Sequence, residues 1–149
     1  MSPGVLGKWA TVAGLSMTPA LLLGQSAAAA AGIAWHLDPW LLVPVMAVSG
    51  FVEGVAVAWL GGTTTRVGFV HRWCERMRKP RAVALANAWG PWGGMTLGVA
   101  ALGQEPILLA LRWLGVDLRR LVLPIAVSNV LFALVYYWVV KLGLDHLSI

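Results

Sequence analysis

Long apolar stretches with very few charged residues make up most of this chain. Residues 40–60 contain one charged side chain, Glu53, and residues 121–140 contain none. Across the 149 residues, 59% are hydrophobic and 11% are charged, and the mean hydropathy is +0.78. Apolar runs of about twenty residues are typical of transmembrane helices and rare in soluble proteins. We therefore expect an all-α, polytopic integral membrane protein.

The apolar runs predict a single transmembrane domain over residues 1–149, with three to four transmembrane helices and one or two re-entrant or broken helical hairpins. The predicted spans are about 9–35, 40–60 and 121–140. The first is longer than one crossing needs and contains Pro19, which favours one kinked or tilted crossing with the N-terminus inside. A secretory signal is the alternative for this stretch, because Lys8 precedes an alanine-rich run.

Basic residues are concentrated after the second apolar run. Six of the eleven lysines and arginines lie between Arg66 and Arg81, interleaved with apolar residues at helical spacing. Beside long apolar runs, such a cluster is better explained by the positive-inside rule than by nucleic-acid binding. We expect a basic amphipathic helix over 66–81 on the cytoplasmic face of a bacterial-type inner membrane, in contact with membrane lipids.

Residues 90–118 combine helix breakers with arms that are too short to cross a membrane. The run from Pro106 to Val116 is eleven residues long, about 17 Å of helix, whereas the apolar core of a bilayer is about 30 Å thick. A re-entrant hairpin leaves ten of the basic residues inside and only Lys141 outside. The alternative, a full crossing over 82–102, leaves three basic residues outside, so the positive-inside rule favours the hairpin.

Two glutamates are the principal candidate functional residues. Glu53 lies within the second predicted span, where inserting a charged side chain costs roughly 2.5 to 3.5 kcal/mol. Glu105 lies near the tip of the predicted hairpin, next to Gln104, with Arg112 one or two helical turns behind it. Ionisable residues at membrane depth mark substrate, ion or proton sites by default, and the alternative is a structural carboxyl that binds Arg112 or a neighbouring helix.

Polar side chains inside the predicted spans have two open interpretations. Asn129 lies near the middle of the last span, and Gln25 and Ser26 lie within the first. Such groups usually hydrogen-bond a neighbouring helix, and less often line a polar path. We keep Asn129 with Glu53, Glu105, Gln104 and Arg112 as the candidate substrate-binding or proton-binding residues.

The remaining reactive residues do not predict an enzyme. Cys74 is the single cysteine, and its neighbour His71 has no partners at metal-ligand spacing. No nucleophile and base occur in a recognisable catalytic arrangement. We expect no enzyme activity, no cofactor and no metal. Because so few helices enclose little interior, we expect a homo-oligomer.

A short internal similarity also appears in the sequence. The first segment is Gly50 to Glu53, followed by Trp59-Leu60-Gly61 and Arg66. The similar second segment is Gly103 to Pro106, followed by Trp113-Leu114-Gly115 and Arg119. The spacing between glutamate and tryptophan differs by two residues, so chance is the competing explanation. A true duplication would indicate a transporter that is built from repeats.

Residues 81–143 resemble the DedA-like, VTT-domain superfamily and the related small multidrug export proteins. The shared order is a basic amphipathic helix, the sequence Trp-Gly-Pro-Trp-Gly-Gly at 89–94, an arm that leads to the Gly-x-x-Pro turn at 103–106, a Leu-Gly pair and a final span. The resemblance implies a compact transporter-like fold with paired re-entrant hairpins. It also implies a substrate that is a lipid phosphate or an amphipathic cation.

Two classes of function follow from these features. In a proton-coupled exporter or translocase of a lipid phosphate or amphipathic small molecule, Glu53 and Glu105 are proton or cation sites. Arg112 then balances their charge or grips an anionic head group. In the alternative, a non-transporting structural subunit of a membrane complex, the same side chains are packing bonds.

Overall fold

The computed structural model describes residues 3–17 and 23–147, and all regular structure in those ranges is helical, which confirms the all-α class. Residues Gly90–Gly98 form a π-helical segment, a conformation that is rare outside single turns and often found at functional sites. The elements in chain order are α1 (Pro3–Ser16), α2 (Leu23–Ala34), α3 (Pro39–Thr64), α4 (Gly68–Met77), α5 (Pro80–Ala88), the π-helical segment (Gly90–Gly98), α6 (Val99–Leu102), α7 (Gln104–Trp113) and α8 (Leu118–Leu147).

Two helices in the described ranges are long and apolar enough to cross a membrane by length and composition. They are α3, with 26 residues and a mean hydropathy of 2.0, and the Leu118–His146 part of α8, with a mean hydropathy of 1.9. A 26-residue helix is about 39 Å long, which exceeds the thickness of the apolar core. The predicted spans 40–60 and 121–140 lie within these two helices.

The first apolar stretch forms two short helices instead of one kinked helix. Lys8 near the start of α1 lies 6.0 Å from the ring centroid of Trp35, which follows the end of α2. The chain therefore reverses between the two helices, and α1 and α2 form a hairpin. At 14 and 12 residues, they are only about 21 Å and 18 Å long. The predicted single crossing over 9–35 differs from this geometry, and Pro19 lies outside the described residues.

The chain divides into two compact units, each with parts of both long helices. Unit 1 comprises the described residues of 1–52 and 129–149, and unit 2 comprises residues 53–128. In the core of unit 1, alanines of α2 pack against apolar side chains of the other helices. Alanine is small and lets helix backbones approach closely. Its buried members are Val12, Ala28, Ala29, Leu42, Met46, Ala47, Ala133 and Tyr137.

Within unit 2, the basic stretch forms two helices instead of one. Lys79 is extended and Pro80 begins α5 at its first position, because a proline restricts the residue before it and fits a helix start. The predicted single helix over 66–81 is therefore divided. Arg78 donates a hydrogen bond from Nε to the backbone oxygen of Trp113 at 2.9 Å, and Trp73 meets the Trp113 ring edge-on at 5.3 Å. These contacts attach α4 to the end of α7.

Residues 90–118 form a helical hairpin whose turn is at Gly103. The first arm is the π-helical segment with α6, and the second is α7. Gly103 has a φ of 89°, a conformation that glycine adopts without steric cost. A β-carbon at Gly98 would lie 3.0 Å from Ile107, so glycine allows the two arms to pack closely. The hairpin tip, which begins with Gln104, is thereby held in a defined position.

Candidate functional site

Unit 2 brings the two predicted glutamates together. Glu53 lies inside α3 and Glu105 in the first turn of α7, and both are half-buried. Their carboxyl groups are joined by a side-chain hydrogen bond. Oε1 of Glu53 is buried and accepts no hydrogen bond from an amide, amine or hydroxyl group among the described residues. The site therefore contains a carboxyl pair with a buried acceptor oxygen.

The hydrogen bond between these carboxyl groups determines what they can do chemically. An ionised carboxylate only accepts hydrogen bonds, so one of the two groups must carry a proton to donate. The pair is thus a site where one proton can be held between two carboxyl groups.

The turn of the hairpin positions this pair. Gln104 is the first residue of α7 and Glu105 follows it. A β-carbon at Gly54 would lie 2.5 Å from Nε2 of Gln104 and 2.8 Å from Cγ2 of Ile125. Glycine at position 54 therefore lets the hairpin tip approach the backbone of α3. Pro106 at the third helical position has no backbone N–H, which costs nothing there because the first amides of a helix have no intrahelical partner.

Arg112 has a different environment from the one predicted. Its Nε donates to the backbone oxygen of Ala58 at 2.9 Å, and its Nη1 donates to that of Val116 at 2.6 Å. Its guanidinium group also lies against Gly62. Seven positions along α7 separate it from Glu105, about 10 Å of helix rise. In the described part of the chain, no ion pair links Arg112 to either glutamate.

Asn129 belongs to unit 1, where it is buried at 1% exposure. Gln25 donates a hydrogen bond from Nε2 to its Oδ1 at 3.1 Å. Oε1 of Gln25 is buried without a hydrogen-bond partner in the described ranges. Gln25 was expected to serve packing and was not among the predicted site residues.

His71 and Cys74 both lie on α4. Cys74 is fully buried, and Nε2 of His71 lies 3.3 Å from a carboxyl oxygen of Glu75 on the same helix. No group of three or more metal-ligating side chains occurs among residues 3–17 and 23–147.

The internal similarity noted in the sequence pairs residues that have different local structures. Glu53 is in the middle of α3, whereas Glu105 begins α7. Gly61 is helical, whereas Gly115 has a φ of 92° and follows the end of a helix. In that alignment, the two segments are therefore not structural repeats of each other.

Comparison with known proteins leaves the family of the chain open. No protein-family model matches it. No curated protein and no solved structure matches it either. The resemblance to DedA-like and small multidrug export proteins therefore rests on the motif residues of 81–143 and stays a prediction.

Proposed function

We propose that this protein is a small membrane transporter that couples proton movement to the export or translocation of an amphipathic small molecule or a lipid phosphate. The observation that carries the proposal is the hydrogen-bonded pair of Glu53 and Glu105, in which Oε1 of Glu53 is buried and accepts no hydrogen bond from an amide, amine or hydroxyl group of the described residues. Placing two acidic groups in an apolar helix environment is costly, and such groups usually mark ion or proton pathways.

In the proposed membrane arrangement, α3 and α8 cross the bilayer and the hairpin of residues 90–118 is re-entrant. Its second arm, α7, has ten residues, about 15 Å of helix, which is half of the apolar core. Large apolar side chains are exposed along both long helices and would face lipid. They include Val48, Val52, Trp59, Leu123, Val127, Val130, Leu134 and Val139.

The basic stretch lies on the cytoplasmic side of a bacterial-type inner membrane in this proposal, and the N-terminus lies opposite. This revises the predicted cytoplasmic N-terminus. The hairpin of α1 and α2 returns the chain to the side where it began, and α3 then crosses once. Nine of the eleven basic residues still lie inside, with Lys8 and Lys141 outside, which satisfies the positive-inside rule.

The site favours an amphipathic cation over a lipid phosphate. Oε1 of Glu53 is a buried hydrogen-bond acceptor, and an acceptor suits a protonated amine better than a phosphate. Arg112, the nearest predicted anion-binding residue, already donates to two backbone oxygens. Transport then follows from competition, because a cation and a proton neutralise the same carboxyl pair and bind in alternation.

The test is proton flux in liposomes that contain purified protein and a trapped pH-sensitive dye. Ethidium is the cationic probe, and phosphatidic acid with a fluorescent acyl chain is the anionic probe. We expect added ethidium to drive proton movement across the membrane of liposomes that contain the wild-type protein. Glu53→Gln and Glu105→Gln should each reduce this flux at least about tenfold, because an amide has no proton to release. Asp145→Asn, on the exposed end of α8, is the control.

Two other results would change the proposal. Coupled movement of phosphatidic acid alone would assign the site to a lipid phosphate. If the wild-type protein moves neither probe and both glutamine variants lose oligomer stability in detergent, the carboxyl pair is a packing bond. The protein would then be a non-transporting subunit of a membrane complex.

A further inference from the structure

A second internal similarity, in a different register, is present in the sequence. The tripeptide Leu-Gly-Gln occurs at 23–25 and again at 102–104, a shift of 79 positions. Under this single shift, without a gap, ten residues of 23–52 are identical to their counterparts in 102–131. The other identical pairs are Ala31 with Ala110, Asp38 with Asp117, Leu42-Val43 with Leu121-Val122, and Ala47-Val48-Ser49 with Ala126-Val127-Ser128.

The turns after α2 and α7 have matching backbone geometry under the same shift. His36 has a φ of 53° and its counterpart Gly115 has a φ of 92°. Leu37 donates its backbone N–H to the oxygen of Gly32 at 2.9 Å, and the counterpart bond runs from Val116 to Leu111 at 3.0 Å. Both turns are therefore helix ends of the Schellman type, with a left-handed residue after the helix.

The long helices after these turns also start in the same way. α3 begins at Pro39 and α8 at Leu118, which are counterparts under the shift. Oδ1 of Asp38 accepts a hydrogen bond from the backbone N–H of Trp40 at 3.0 Å. Oδ1 of Asp117 accepts one from that of Arg119 at 3.1 Å.

Burial along the two helices follows the same register. Leu42 and Leu121 are fully buried, and so are Met46 and Ile125. Ser49 and Ser128 are both buried, at 8% and 1% exposure. The tripeptides themselves differ, because Gly24 is within α2 whereas Gly103 has a φ of 89° between α6 and α7. From the end of the first helix, through the turn and into the long helix, counterpart positions have equivalent structural environments.

Each unit places the glutamine of its tripeptide against a glycine of α3. A β-carbon at Gly50 would lie 2.7 Å from Nε2 of Gln25, and one at Gly54 would lie 2.5 Å from Nε2 of Gln104. Each unit also has one buried side-chain oxygen that lacks a hydrogen-bond partner in the described ranges. It is Oε1 of Gln25 in unit 1 and Oε1 of Glu53 in unit 2.

We propose that residues 23–52 and 102–131 are two copies of one structural unit, and that Gln25 with Asn129 forms a second ligand-binding site, the counterpart of the Gln104 site. This inference rests on the proposed function for the identity of the transported molecule. Repeated halves are common in transporters, where corresponding segments of both halves contribute to binding.

The second site binds a different chemical group from the first. The counterpart of Glu105 in the first copy is Ser26, and the counterpart of Glu53 on the long helix is Phe132 in α8. The unit 1 site therefore has no carboxyl group, and its unused atom is an amide oxygen. An amide oxygen accepts from a neutral O–H or N–H group at little desolvation cost. The site takes an uncharged donor of the ligand, such as a hydroxyl or an amide N–H.

Cysteine accessibility tests the site without requiring transport. Gln25→Cys and Gln104→Cys are made separately in a Cys74→Ser background, with Ala28→Cys and Leu108→Cys as fully buried controls. The probe is a small, water-soluble methanethiosulfonate reagent on the protein in liposomes. We expect positions 25 and 104 to be modified and positions 28 and 108 to be protected. Protection of position 25 overturns the inference, whether or not position 104 reacts.

Transport gives the second measurement. Gln25→Leu should reduce the ligand-dependent proton flux about tenfold, because a buried hydrogen bond to the ligand is lost. Ser49→Ala, another buried polar residue of unit 1, should leave the flux within about twofold, since it removes no amide oxygen. Normal flux in Gln25→Leu overturns the second site but leaves the proposed function intact. If the wild-type protein moves neither probe while position 25 is modified, the proposed function fails and the second site stands.

Discussion

The guanidinium group of Arg112 lies against Gly62, where a β-carbon would meet Nη2. The same side chain donates to the backbone oxygens of Ala58 and Val116. Arg112 therefore joins the last turns of α3 to the end of α7, and glycine at position 62 provides the space that this arrangement requires.

A methyl group at Gly62 should destabilise the protein. Gly62→Ala forces the guanidinium group away from its two backbone acceptors, and crowding of this kind costs about 1 to 3 kcal/mol. Gly143→Ala in α8 is the matched control, because a β-carbon there meets nothing within 4 Å. It should be neutral or stabilising by up to about 1 kcal/mol through helix propensity. Chemical unfolding in detergent measures both, and equal stabilities would contradict the packing role of Gly62.

Replacing Arg112 should affect stability more than selectivity. Arg112→Lys loses the planar group that reaches two acceptors, and leaving buried carbonyls unsatisfied costs about 1 to 3 kcal/mol. Since those donors serve backbone oxygens, the ratio of ethidium to phosphatidic acid transport should stay within about twofold. A selective loss of phosphatidic acid movement would show instead that Arg112 grips an anionic head group.

The proposed topology is best tested at exposed positions, because Cys74 is buried and a poor target for labelling. Single cysteines are placed in a Cys74→Ser background at Phe69, Arg119, Trp40 and Leu6. We expect a membrane-impermeant maleimide to label positions 69 and 119 from the cytoplasmic side. Positions 40 and 6 should be labelled from the opposite side, because α1 and α2 form a hairpin. Labelling of positions 69 and 119 from opposite sides would make the stretch before Leu102 a full crossing.

The two capping aspartates should have equal effects. Asp38→Ala and Asp117→Ala each remove a side-chain acceptor for a backbone N–H at the start of a long helix. The cost of losing such a cap is typically about 1 kcal/mol. Thermal unfolding should show a similar decrease for both variants, and Asp→Asn at either position should retain most of the stability. Unequal decreases in stability would show that the two helix starts, and so the two copies of the structural unit, are not equivalent in energy.

Local sequence patterns were sufficient to predict much of the secondary structure. The apolar runs predicted the cores of α3 and α8, and the glycines at 90–94 and 103 predicted a broken hairpin. These features depend on interactions within one or two helical turns, which a single stretch of sequence determines. The division of the basic stretch was missed although Pro80, a local signal, was present.

The candidate site depended on contacts between distant residues. Their charge within apolar segments identified Glu53 and Glu105 separately as candidates. Only the tertiary structure brought their carboxyl groups into a hydrogen bond. It also paired Gln25 with Asn129 across 104 positions and gave Arg112 backbone acceptors instead of a carboxylate.

By itself, then, the sequence determined the long helices, their apolar surfaces and the hairpin turn at Gly103, because each is an interaction between neighbouring residues. The tertiary structure decided that α1 and α2 form a hairpin and which polar side chains meet. Those outcomes depend on which faces of separate helices pack together. Helix packing is governed by the shape and closeness of surfaces, such as the glycines at positions 50 and 54, and not by the period of a single helix.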